Sequence, residues 1–181
     1  MEGTQNQGHI IVLFGGKFQV GKSGIAQTYC GVDIKLAYMH NHIKKGGLNL
    51  KITQIDSLGE EMNGIHFFQK YCKLIQKGGC LILVYDITDR SSFEEMTQYY
   101  YESTKIKERN FTYLLLGNRL ERSHNRQVSF NEAKSFADSY GILFFEVPSR
   151  RKQNIDEAYN KLIDEMIQRV TYFEVFSYLK K

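Results

Sequence analysis

The chain has 181 residues, 42% of them hydrophobic and 24% charged, which suits one globular domain with a sizeable buried core. Its formal charge of +4 comes from Lys and Arg scattered in short pairs such as Lys44-Lys45 and Lys180-Lys181, without the basic stripe of a nucleic-acid binder. Three cysteines (Cys30, Cys72, Cys80) fit neither a disulfide framework nor a zinc site, so a reducing, intracellular and cytoplasmic setting is expected.

Residues 1–8 are polar, lack the basic and apolar regions of a signal peptide and read as a flexible N-terminus. His9 to Phe14 is a short β-branched run that ends at Gly15-Gly16, the pattern of a buried strand and a turn. Ser23 to Cys30 suits a helix. Met39 to Ile43 and Leu48 to Ile55 flank Lys44-Lys45-Gly46-Gly47, a hairpin signal. Within the second of these strands Leu48, Leu50 and Ile52 alternate with Asn49, Lys51 and Thr53, as on a sheet with one covered face. His40 and His42 share a face, but with no third ligand nearby a zinc site is not expected.

Cys80 to Ile87 is apolar throughout except Asp86, the mark of a strand covered on both faces. Ser92 to Arg109 follows as a helix, with Ser91-Ser92 as its cap candidate. Phe111 to Leu116 is the next strand. Ser129 to Tyr140 opens with a capping box, Ser129 and Glu132, and ends at Gly141. Ile142 to Val147 is another strand. Asn154 to Val170 carries Ile155, Ala158, Tyr159, Leu162, Ile163, Met166 and Ile167 on one stripe. Strands alternating with helices predict an α/β fold of three layers, a six-stranded and mostly parallel sheet with helices on both faces. Ligands of such folds sit at the carboxyl ends of the strands.

The strongest motif lies at such an end. Gly16-x-x-x-x-Gly21-Lys22-Ser23 follows the first strand and opens the first helix. Phosphate needs backbone N–H groups at close approach, which the glycines permit, and a cation, which Lys22 supplies. The residues expected to bind are Gly16, Phe18, Gln19, Val20, Gly21, Lys22, Ser23 and Gly24. Ser23 also offers a hydroxyl to Mg²⁺. Asp56 to Gly59 follows the third strand, where Asp56 suits Mg²⁺ and Gly59 a terminal phosphate.

These elements, with Asn118 to Glu121 and Ser149-Arg150, stand in the order of the Ras-superfamily small GTPases, and Leu83 to Phe93 and Val128 to Glu146 resemble the Rab branch. The resemblance covers roughly residues 9–170, leaving 171–181 as a short C-terminal extension. It implies a Ras-like P-loop fold, GTP or GDP with Mg²⁺ as cofactors, Asn118, Arg119 and Glu121 with Ser149 and Arg150 around the base, and protein partners. The tail Phe176 to Lys181 holds no Cys, so no prenyl anchor is expected. By analogy with tailless relatives, a protein assembly such as a ciliary or cytoskeletal one is a candidate location.

The departures from the family bear on function. Glu121 stands where the family has Asp, one methylene longer, which weakens discrimination against adenine. Glu60 replaces the Gln that orients attacking water, and Phe18 adds bulk where the family has a small residue. Only 32 residues separate Ser23 from Asp56, and Gly31 to Leu36 holds no Thr to complete Mg²⁺ coordination. Asp33 is the one substitute ligand there, though a loop role is the simpler reading. Switch II is longer and carries Phe67, Phe68 and Tyr71. The expectation is a Rab-like GTP-binding protein whose hydrolysis is slow or absent, with Glu60 in the catalytic position where the family has Gln. The alternative is a pseudo-GTPase serving as a subunit of an assembly. A P-loop kinase fits less well, because the Asp56, Asn118 and Ser149 elements are in order.

Overall fold

The structure is a computed structural model that describes residues 7–31, 38–45, 47–55, 79–106 and 111–179. Along the chain run β1 (Gln7–Gly15), α1 (Lys22–Cys30), β2 (Tyr38–Lys45), β3 (Leu48–Ile55), β4 (Cys80–Asp86), α2 (Arg90–Thr104), β5 (Thr112–Asn118), a short 3-10 helix (Leu120–Asn125), α3 (Phe130–Tyr140), β6 (Leu143–Glu146) and α4 (Lys152–Leu179). The strands form one six-stranded sheet in the order β2-β3-β1-β4-β5-β6. All neighbours are parallel except β2 and β3, the expected hairpin.

The sheet divides two apolar layers. On one face Ile10, Val12, Phe14, Ile52, Ile82 and Leu114 pack against α1 and α4. On the other Leu13, Leu81, Leu83 and Leu115 pack against α2 and α3. Every residue of β4 is buried, as a strand covered on both faces requires. The α4 stripe works as the 3.6-residue period dictates: Ile155, Ala158, Tyr159, Leu162 and Ile163 are fully buried. Cys80 lies fully buried as well, its thiol pushed up to about 12 by desolvation.

Several boundaries differ from the sequence reading. The cap of α2 is Asp89, whose carboxylate accepts from the Ser91 amide at 3.0 Å. The Ser92 hydroxyl instead turns inward and binds the Asp86 amide at 2.9 Å. It is thereby spent on joining α2 to β4. In the helix assigned to Arg109, the helical residues end at Thr104, and 107–110 lie outside the described residues. β5 continues to Asn118, two residues past Leu116, in register with Asp86. α4 runs on to Leu179, so no break in the backbone marks residue 170. β3 is buried on both faces toward its carboxyl end, where Thr53 and Ile55 are covered. The α3 capping box forms as read, with Ser129 Oγ accepting from the Glu132 amide at 3.1 Å and Gly141 ending the helix at φ 63°.

Candidate nucleotide-binding site

β1 ends at Gly15, and the chain must then turn sharply into α1. Gly16 takes φ 138°, Gln19 φ 64° and Gly21 φ 96°. At Gly16 a Cβ would stand 2.2 Å from the Val84 carbonyl oxygen, and at Gly21 one would stand 2.3 Å from Asn118 Nδ2. Both glycines are therefore fixed by backbone angle and by close approach. Gln19 carries the same left-handed conformation with a side chain, which stores strain in the loop. The loop wraps the amino end of α1, whose leading N–H groups and dipole favour an anion. Lys22 is buried, and its Nζ donates to the carbonyls of Gly16 at 2.8 Å and Lys17 at 2.7 Å. Val20 packs into the core, Ser23 and Gly24 are half-buried in the first turn of α1, and Phe18 stands 54% exposed.

Asn118 ends β5 beside this loop. Its Nδ2 donates to the Val20 carbonyl at 2.8 Å, which fastens loop to strand. Its Oδ1 is buried and finds no hydrogen-bond partner among the described residues. An orphaned buried acceptor is costly and suits a ligand that donates. Arg119 follows at φ 66°. Its guanidinium pairs with Asp86 and donates to the Gln19 carbonyl at 2.8 Å. Asp86 is nearly buried, and its other oxygen accepts from the Thr88 amide at 2.9 Å and the Thr88 hydroxyl at 2.7 Å. Arg119 is thus committed to holding the loop.

Glu121 lies in the first turn of the 3-10 helix, which is tied to the strand ends by the Leu120 amide on the Val147 carbonyl. Ser149, past the end of β6, donates its amide and hydroxyl to the two carboxylate oxygens of Glu121. Burial raises the Glu121 pKa, but the Ser149 hydrogen bonds, the residue's own amide and Arg122 outweigh it and leave the carboxyl below its ordinary value. Glu121 is an anionic acceptor with lone pairs to spare. Arg150 is exposed beside Ser149.

The structure thus brings together Gly16 to Gly24, Asn118, Arg119, Glu121 and Ser149 on one sheet edge. Asp33, Asp56, Gly59, Glu60 and the switch II aromatics lie outside the described residues. Two members escaped the sequence reading. Asp86 holds Arg119, and the signal for it was a carboxylate closing an otherwise apolar strand. Lys17, a variable position of the motif, donates to Asp89 Oδ2 at 2.9 Å and to the Ser91 hydroxyl at 2.5 Å, joining the loop to α2.

The family model for Ras matches residues 10–168. The chain belongs to the Ras family. Relatives of this Ras-family chain include Rab-2B of Dictyostelium discoideum, 33% identical over 67% of the chain and 58% of that protein. Human Rab-17 is 30% identical over 85% of the chain and 74% of the relative. Rab-1A of Dictyostelium discoideum is 31% identical over 78% and 66%. The match therefore spans under two thirds of the length of Rab-2B. Among the described residues no helix is long and apolar enough to cross a membrane.

Proposed function

We propose that this Ras-family chain holds GTP or GDP at the edge formed by the phosphate loop and Asn118, and hydrolyses GTP slowly or not at all. The observation that carries the reading is the Asn118 side chain, which ties the loop through Nδ2 while its buried Oδ1 finds no partner among the described residues. A base donor in front of the loop would satisfy that oxygen. Lys22 and the loop amides would take the phosphates, and Glu121, held anionic by Ser149, would accept from the guanine N–H groups. Arg119 would hold the loop in place through its bond to the Gln19 carbonyl. Mg²⁺, held by Ser23 and Asp56, would neutralise charge on the terminal phosphate oxygens.

Slow hydrolysis rests on two residues. Phe18 presents an exposed ring from the loop itself, where an ordered water would have to fit. Glu60 adds like charge where the family has Gln. The same exposed Phe18 also supports a second reading, a pseudo-GTPase whose nucleotide edge serves as a contact for other subunits. Protein partners are part of both readings. Denaturing the purified protein and identifying the released nucleotide by chromatography separates them. GTP in the released fraction supports binding without turnover. No released nucleotide, and no heat on titrating GDP, GTP or ATP with Mg²⁺, removes the first reading. ATP binding as tightly as GTP would remove the role given to Glu121.

A further inference from the structure

The face of β1, β2 and β3 turned away from α1 and α4 is charged with one sign. In register, Lys51 of β3 stands between His42 of β2 and His9 of β1, and Thr53 stands beside His40. Lys44 pairs with Asn49 at the hairpin end. His9, His40, His42, Lys44 and Lys51 are all exposed. The three strands contain no Asp or Glu. Lys45, on the opposite face, is neutralised by Asp164 at 3.0 Å. Lys44 and Lys51 have no ion pair with any described residue. Two of the imidazoles are oriented as well: the Thr53 hydroxyl lies 2.7 Å from His9 Nε2 and 3.0 Å from His40 Nδ1. A cleft of about 610 Å³ opens here, lined by His9, His42, Lys44, Asn49 and Lys51 among others.

We propose that this cleft docks an acidic, Asp- and Glu-rich segment of a partner protein, and docks it more tightly as the pH falls below neutral. Among the described residues of the three strands, the titratable groups lining the cleft are Lys44, Lys51, His9 and His42, and His40 stands beside it on the same face. Carboxylates accept from both ammonium and imidazolium N–H groups, and these bonds are stronger than neutral ones. An added imidazolium charge is not neutralised by any described residue of the three strands, which carry no carboxylate. Burial, and then the charges of Lys51, His9 and His42, hold the His40 pKa below its ordinary value. A bound carboxylate relieves that repulsion. The site begins at the amino end of β1, whereas the phosphate loop follows its carboxyl end, so occupancy of the two is separable. Nucleic acid fits less well, because none of the described residues that line the cleft is aromatic.

The test is fluorescence anisotropy of the full chain with a labelled oligoglutamate peptide, at about pH 6 and about pH 8 in moderate salt. We expect saturable binding, several-fold tighter at the lower pH. The substitutions Lys51→Glu and Lys44→Glu should each weaken it about tenfold, and Lys161→Glu on α4 should leave it unchanged. Matched melting curves show that the variants fold, and using two sites keeps the result readable if one does not. Absence of saturable binding at the lower pH overturns the proposal. So does equal weakening by Lys161→Glu, which would indicate bulk charge. Tighter binding to single-stranded RNA or to phosphatidylserine vesicles than to the peptide would overturn the choice of partner.

Discussion

Ser149 satisfies both oxygens of Glu121, its amide reaching Oε2 at 3.1 Å and its hydroxyl Oε1 at 2.8 Å. The pairing joins the loop after β6 to the 3-10 helix after β5, two segments separated by 28 positions. It also sets the charge state of Glu121. Because the carboxyl pKa in the fold lies below its unfolded value, the stabilisation is present above the unfolded pKa, near 4.3 for a glutamate, and is lost as pH falls through the folded one. Ser149→Ala removes the hydroxyl donor. Carboxyl NMR titration should show the Glu121 pKa rising in the variant. Its stability deficit, within about 1 kcal/mol for so exposed a group, should be present near neutral pH and vanish in acid. An unshifted Glu121 titration would mean that the hydroxyl bond does not persist in solution.

Asn118→Ala tests the fastening of loop to strand. The substitution strips the bond to the Val20 carbonyl and leaves that oxygen buried beside the space vacated. The expected loss is about 1–3 kcal/mol in urea denaturation, with the m-value unchanged. Nucleotide affinity should fall by about tenfold for each 1.4 kcal/mol lost from the bound state. Gly21→Ala should be worse, because φ 96° is strained for alanine and the added methyl would meet Asn118 Nδ2 at 2.3 Å. Wild-type stability in both variants would remove this account of the loop.

What the sequence discloses here is mainly what is local. The phosphate loop, the hairpin at Lys44 to Gly47, the Ser129 capping box and the α4 stripe each rest on residues a few positions apart, and each appears where its period or motif places it. Contacts between distant segments are not legible in that way. The Ser91-Ser92 pair reads as the helix cap, but the fold gives the Ser92 hydroxyl an interior partner, the Asp86 amide, and the cap is Asp89. The family resemblance puts Arg119 among the residues around the base, yet β4 brings Asp86 into register with Asn118 and so to the guanidinium. Lys17 sits at a motif position free to vary, and only the placement of α2 beside the loop gives it Asp89 and Ser91. For Asp56, Glu60 and the switch segments the sequence expectation stands alone.

Phe18→Gly addresses the proposed lack of turnover. The ring is 54% exposed and contributes little to the core, so stability should change by no more than about 1 kcal/mol. If the ring is what obstructs the attacking water, single-turnover GTP hydrolysis should rise about tenfold, and further when Glu60→Gln is added. The readout is phosphate release from preloaded protein. An unchanged rate in the double variant would place the obstruction elsewhere and weaken the slow-GTPase reading.

The last test concerns the polar group sealed in the core between α1, β3 and α4. Gln54 is fully buried; its Nε2 donates to Cys30 Sγ at 2.8 Å and weakly to the Ala26 carbonyl at 3.4 Å, while its Oε1 accepts from the Tyr159 hydroxyl. Tyr159 in turn stacks on Tyr29, with ring centroids 3.8 Å apart and planes 12° from parallel. Tyr159→Phe keeps the stack and deletes the donor, stranding a buried oxygen at a cost of about 1–3 kcal/mol. Gln54→Leu in the Tyr159→Phe background removes the stranded amide and should recover part of that loss, because an apolar pair of similar shape leaves no carbonyl to desolvate. Thermal denaturation of the two single variants and the double variant gives the coupling directly. Additive losses would show that the hydroxyl and the amide act independently. Recovery would show that the Tyr159–Gln54 bond joins α4 to the strand that leads into Asp56.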